Sequence, residues 1–225
     1  MQPLVLLAGM NCTADLWAGC GVDDAITPQL TARSVDAQVD LLLSELPPTF
    51  VLGGLSLGAI VAMAIIARAP ERVSGLCVVS TNAKAPTALQ QESWHGWLDQ
   101  LDGGAAPRDL QKQIIGSLLT PAVAASRPDL VERTLRMGDE TGASALRAQL
   151  QMQTTRVDLR PGLARVAAPT LVVSGADDAI CPPSFHTEIA AAVPGARMVT
   201  LEGGHLLPLE RPDAFGALVR SWRPR

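Results

Sequence analysis

Val51-Leu52-Gly53-Gly54-Leu55-Ser56-Leu57-Gly58 decides how the rest of this chain is read. The apolar run Thr49 to Leu52 predicts a strand buried on both faces, and Leu57 to Ala69 predicts a helix that begins at once. Only Gly53, Gly54, Leu55 and Ser56 remain for the turn. A strand that reverses into a helix so abruptly needs small residues around its apex, and Gly54 and Gly58 have no Cβ. The apex is Ser56, in the pattern G-x-S-x-G. In a strand–turn–helix setting that pattern exposes a serine hydroxyl at the C-terminal end of a central strand. The dipole of the following helix favours negative charge developing there. The same residues also fit a Gly- and Ser-rich turn with no chemistry, and the rest of the chain has to discriminate.

Working outward, Pro3 to Ala8 predicts a first strand that opens into Gly9-Met10-Asn11-Cys12-Thr13, a loop able to offer backbone N–H groups. Trp17 reads as a packing residue. Ala25 to Leu30 predicts a short strand interrupted by Pro28. Val35, Val39, Leu42, Leu43 and Leu46 recur at helical spacing, with Ser34 or Asp36 as cap and Pro47-Pro48 as stop. The helix after Ser56 is apolar on most faces and ends at Pro70. Val73 to Ser80 is another continuous apolar strand. Apolar strands alternating with helices imply a parallel sheet covered on both sides.

From Lys84 to Arg160 no strand pattern appears. Amphipathic runs interrupted by Gly103-Gly104, Pro107, Pro121, Pro128 and Gly142 predict three or four inserted helices. A connection of that length is expected to be a lid or cap. The strand pattern returns at Thr170 to Ser174, followed by Gly175-Ala176-Asp177-Asp178. Ser184 to Val193 predicts a helix. Arg197 to Leu201 is the last strand, followed by Glu202-Gly203-Gly204-His205, with a closing helix from about Pro212. Residues 1–83 and 161–225 are thus expected to form the core, and 84–160 a helical cap.

Composition narrows the function classes. The chain has 225 residues, 48% of them hydrophobic and 18% charged, with a net charge of −4. That suits an ample apolar core and disfavours nucleic-acid binding. No apolar run reaches transmembrane length, and Met1 to Leu7 lacks a basic leader, so no membrane partner and a cytoplasmic location are expected. Cys12, Cys20, Cys77 and Cys181 show no C-x-x-C spacing, and Cys77 reads as a buried thiol. Three widely separated histidines give no metal-ligand spacing, so neither metal nor cofactor is expected.

Ser56, Asp177/Asp178 and His205 all fall in loops leaving the C-terminal ends of predicted strands, the edge of a parallel sheet where ligands bind. A serine hydroxyl needs a base to take its proton. Histidine titrates near neutrality, and a carboxylate fixes its tautomer and stabilises its charged form. His95, in Trp94-His95-Gly96-Trp97, and His186, in a helical turn, read as surface or packing residues. Either Asp177 or Asp178 can serve as the acid, the other capping the turn.

With these residues in place the chain resembles the α/β-hydrolase superfamily, in particular its small cofactor-free esterase, lactonase and perhydrolase-like group. The resemblance rests on Gly54-Leu55-Ser56-Leu57-Gly58, Ala69-Pro70-Glu71-Arg72-Val73, Pro169 through Asp178, and Gly204-His205-Leu206-Leu207-Pro208-Leu209-Glu210-Arg211-Pro212. It covers nearly the whole chain outside the cap. It implies a three-layer α/β/α hydrolase fold with an essentially parallel six-stranded sheet. It implies the order Ser56, Asp178, His205 for the catalytic triad, Asp178 standing at the fourth position of the family's G-x-x-D pattern. It also implies an oxyanion hole from the backbone N–H groups of Met10 and Leu57. Where the family has His-Gly, this chain has Ala8-Gly9, and the family's leading antiparallel strands are missing.

The expected function is a serine hydrolase cleaving a small, mainly apolar ester or lactone, with Asn11, Trp94, Trp97 and Leu206 lining the substrate pocket. The alternatives are a perhydrolase or carbon–carbon hydrolase with the same triad, or a ligand-binding protein on a hydrolase scaffold.

Overall fold

A computed structural model describes residues 2–224. Five strands form one sheet: β1 (Leu4–Leu7), β2 (Phe50–Leu55), β3 (Val73–Val79), β4 (Thr170–Gly175) and β5 (Arg197–Leu201). They lie side by side in chain order, and every pair is parallel. Parallel neighbours need crossovers, and helices supply them. These are α1 (Val35–Glu45), α2 (Leu57–Arg68) and α9 (Pro183–Ala192), while α10 (Leu207–Glu210) and α11 (Pro212–Trp222) follow the last strand. Between β3 and β4 stand α3 (Ala88–Asp102), α4 (Pro107–Gln113), α5 (Ile115–Leu118), α6 (Pro121–Ser126), α7 (Pro128–Thr154) and α8 (Arg160–Leu163).

Alternation along each strand divides the core. Val5, Leu7, Leu52 and Val78 face one way, into a cluster with Val39 and Leu42 of α1, Ile65 of α2 and Ile189 of α9. Leu4, Leu6, Val51 and Val79 face the other way, against Trp17, Leu207, Phe215 and Val219. Trp17 stacks on Phe215 with ring centroids 5.9 Å apart, which fixes the packing role expected of it. The result is three layers. Each fully buried aliphatic side chain contributes about 1.5–3 kcal/mol, and strands buried on both faces collect that from every position.

The expected sixth strand is absent as a strand. Ala25 to Leu30 reduces to one bridge between Val5 and Ile26, in which Ile26 donates to Leu4 O and accepts from Leu6 N. Pro28 has no N–H to continue the ladder. Elsewhere local signals hold. Ser34 caps α1 by accepting from Ala37 N, and Pro70 follows α2 closely.

The segment between β3 and β4 holds six helices, more than the three or four expected, joined by short loops, and it carries a small core of its own. Trp94, Trp97 and Leu101 of α3 pack on Leu110 of α4 and on Leu146 and Leu150 of α7. Gly142, with φ 74° and ψ 158°, breaks α7 into two stretches. No helix of the described residues is long and apolar enough to cross a membrane.

Candidate active site

Ser56 occupies a backbone conformation that side chains avoid, with φ 53° and ψ −116°. Its N–H donates to Val79 O at 3.0 Å, and its carbonyl accepts from Ile60 N at 3.1 Å and from Thr81 Oγ1 at 3.0 Å. Those bonds to β3, α2 and the loop after β3 over-determine the turn and offset a strain of about 1–3 kcal/mol. Glycine is required around it. A Cβ on Gly58 would run into the Leu7 carbonyl, and one on Gly54 into the backbone of Gly58. Among the described residues, Asn11 and Ser80, with φ 57° and 46°, are the other non-glycine residues in this region of backbone space. All three stand just beyond the C-terminal ends of β1, β2 and β3.

Asp178 and His205 stand beyond β4 and β5. His205 Nδ1 lies 2.9 Å from Asp178 Oδ2 and 3.0 Å from Oδ1. Their side chains are 4% and 0% exposed respectively. Asp178 Oδ1 also accepts from Ile180 N at 2.9 Å and Cys181 N at 2.8 Å. Burial pushes the Asp178 carboxyl up, but the His205 bond, the His205 charge and the two backbone donors outweigh it and hold it below its ordinary value. With the carboxylate accepting at Nδ1, that nitrogen carries the proton and Nε2 is left as acceptor. Asp177 is exposed and gives its N–H to Gly203 O at 3.0 Å, a turn-holding role.

The loop bearing His205 is anchored from the helical segment. Glu210 accepts from Gly204 N at 3.2 Å and from Thr120 N at 2.8 Å. Leu206 N donates to Leu118 O at 3.0 Å. His205 is therefore positioned by the residues around α5 and α6 as well as by the sheet.

A cavity of about 240 Å³ joins these parts. Ser56 and His205 line it, with Met10, Trp94, Trp97 and Leu206. Asp178 sits behind His205. Leu57 is fully buried, and its N–H is the first of α2, where no carbonyl lies one turn back to receive it. Asn11 is elsewhere than expected. It does not line the cavity; its Nδ2 donates to Pro107 O at 3.0 Å and Gln111 Oε1 at 2.9 Å, and its N–H to Gln149 Oε1 at 2.8 Å. Its left-handed backbone turns the side chain away toward α4, so it ties the loop after β1 to the helical segment.

A family model described as the alpha/beta hydrolase family matches residues 12–218. The chain belongs to that family. Among curated relatives of this hydrolase is "Putative non-heme bromoperoxidase BpoC" of Mycobacterium tuberculosis strain H37Rv, 29% identical, with 96% of this chain and 84% of that protein covered. Another is the pimeloyl-[acyl-carrier protein] methyl ester esterase of Aromatoleum aromaticum, 28% identical, with 96% and 88% covered. A solved structure, a thermophilic esterase from Thermogutta terrifontis, superposes with a TM-score of 0.90 at 23% identity, covering 99% of this chain and 89% of that one. At that identity the superposition speaks for the fold.

Several residues of the hydrolase's site were not visible as such in the sequence. His186 is fully buried, and its Nε2 accepts from Thr81 N at 3.0 Å, the same Thr81 whose hydroxyl holds the Ser56 carbonyl. Its Nδ1 proton points to Pro182 O at 3.3 Å. Burial is the main cause that lowers its pKa, and the His205 charge adds to it against the Pro182 carbonyl and Asp178. The unfolded chain therefore binds a proton here more readily than the folded one. Stability is expected to fall as pH drops below the unfolded value of about 6.5, by up to about 1.4 kcal/mol per pH unit until the folded value is passed. Urea unfolding at stepped pH checks this: His186→Gln should flatten that slope, and an unchanged slope would remove His186 as its source. Asn82 and Arg156, also in the cavity wall, had no sequence signal, because only the fold brings them to the other residues.

Proposed function

We propose that this member of the family is a serine hydrolase that cleaves a small ester or lactone through an acyl-enzyme. The observation that carries the reading is His205, held at Nδ1 by Asp178 behind it, lining one cavity with a strained Ser56 at the head of α2. Ser56 Oγ attacks the carbonyl carbon while His205 Nε2 takes its proton. The carbonyl oxygen becomes an oxyanion, received by the N–H groups of Met10 and Leu57. The C–O bond to the leaving alcohol breaks, and His205 returns the proton to that oxygen. Water then attacks the acyl-enzyme by the same route in reverse roles, releasing acid and free Ser56. In a lactone the leaving alcohol stays tethered, but the bonds formed and broken are the same. Each oxyanion donor contributes on the order of 2.7–4 kcal/mol to barrier lowering in such sites.

Residues 84–160 act in this reading as a cap. They contribute Trp94 and Trp97 to the cavity wall and anchor the His205 loop. The cavity volume of about 240 Å³ lies below the ~300–1,000 Å³ of pockets for drug-sized ligands, so the acyl group is short. A screen of p-nitrophenyl esters tests this. Acetate and butyrate esters should be turned over with an initial burst of nitrophenol, and the dodecanoate should be at least about tenfold slower in kcat/KM. No release above the buffer rate for any ester would sink the proposal.

A further inference from the structure

Arg156 follows α7 directly and is 7% exposed, yet it lines the cavity that holds Ser56. Its acceptors are all neutral: Gln153 Oε1 at 3.2 Å from Nη1, and Asn82 Oδ1 at 2.9 Å and Lys84 O at 3.0 Å from Nη2. Nε is buried with no acceptor, and Nη1 keeps a second proton to give. The guanidinium carbon lies 5.7 Å from the centre of the Trp94 ring, in the same wall. Burial lowers its pKa only to about 10, so the group is cationic at neutral pH. The Cys181 thiol, which shares the wall, is pushed up to about 12 by burial and supplies no counter-charge.

Arg68, Arg108, Arg127 and Arg160, all better solvated, each have a carboxylate partner. Arg72 and Arg220 bond backbone carbonyls instead, but they are less buried than Arg156 and do not line the cavity. The buried Arg156, where an unpaired charge costs most, has no carboxylate partner among the described residues. As a strut between α7 and the loop after β3 it would need donors but no charge. A fixed guanidinium in the wall of a substrate cavity, with no carboxylate partner and one donor left without an acceptor, is a site for an anion, and Arg suits carboxylates best among the small anions an ester-cleaving site would meet.

We propose that Arg156 is the subsite for a carboxylate on the substrate, so that the preferred ester or lactone also carries a free acid group. This rests on the hydrolase reading above and refines it: one wall of the cavity takes the apolar part, and the Arg156 wall takes the charge.

The test pairs a binding probe with a substrate pair. Glutarate should bind the wild-type protein in calorimetry at least about tenfold more tightly than its neutral isostere glutaramide. The mono-p-nitrophenyl ester of glutarate should exceed p-nitrophenyl butyrate in kcat/KM by roughly 10–100-fold, carried mainly by KM. Arg156→Met should collapse both ratios and Arg156→Lys should keep part of each. A strut alone would lower both substrates together and leave the ratios standing, which overturns the proposal. Glutarate binding no tighter than glutaramide overturns it from the wild-type protein alone, even if neither variant folds. Turnover of the neutral ester without glutarate preference removes the subsite and keeps the hydrolase. Glutarate binding by a protein whose Ser56 is inert keeps the subsite and removes the hydrolase.

Discussion

Replacing Ser56 with alanine is expected to lower kcat for p-nitrophenyl acetate by roughly 10⁴–10⁶-fold. Removal of the nucleophile leaves only the oxyanion donors and the binding of the ester, which retain some acceleration over water. Stability should change little, within about 0.5 kcal/mol, because alanine at φ 53° meets the same backbone strain as serine and no hydrogen bond of the Ser56 side chain is lost from the fold. Steady-state kinetics and urea unfolding on the same preparation separate the two effects. A variant that hydrolyses at the wild-type rate would remove Ser56 from the reaction. A variant that unfolds would mean that the hydroxyl supports the turn in a way the backbone bonds to Val79, Ile60 and Thr81 do not reveal.

Asp178→Asn carries the second large effect, about 10⁴-fold in kcat. The carboxylate now receives three donors: His205 Nδ1, Ile180 N and Cys181 N. An asparagine oxygen kept on the two backbone donors turns its NH₂ toward His205. Nδ1 must then become the acceptor, the proton moves to Nε2, and the base for Ser56 is lost. The KM for a neutral ester should move far less than kcat, since Asp178 lies behind His205 and does not line the cavity. A loss confined to KM would contradict the tautomer argument. The acid range gives an independent readout. The folded carboxyl sits below its ordinary value, so its contribution is complete above the unfolded value of about 3.9 and is lost as pH falls through the folded one. The variant should therefore show a shallower loss of stability in acid than the wild type.

Much of this was legible in the sequence because the decisive signals are local. The elbow needs its glycines within two residues of Ser56, and the strands are short runs rich in apolar residues, most of them closed by a nearby glycine. Asp178 and His205 could be placed because strand ends in a parallel sheet converge on one edge. Distinguishing Asp178 from Asp177 needed the family pattern at the sequence level. In three dimensions the two differ plainly, one buried against His205 and one in solvent. Ala25 to Leu30 read as a strand because apolar alternation says nothing about how many backbone partners a proline removes. Asn11 read as a pocket residue because the sign of its φ decides which way it faces. Arg156, Thr81 and His186 were not legible as site residues, since their partners lie far along the chain: Arg156 is 74 residues from Asn82, and Thr81 is 105 from His186.

The most direct measurement of the central claim is intact-protein mass spectrometry after treatment with a fluorophosphonate, followed by peptide mapping. A phosphonylated serine mimics the tetrahedral intermediate and forms only where a serine is activated by its base and its oxyanion is received. The account predicts one adduct, on the peptide containing Ser56, absent from Ser56→Ala and strongly slowed in Asp178→Asn. A folded wild-type protein that takes no adduct, or takes it at another residue, would contradict it.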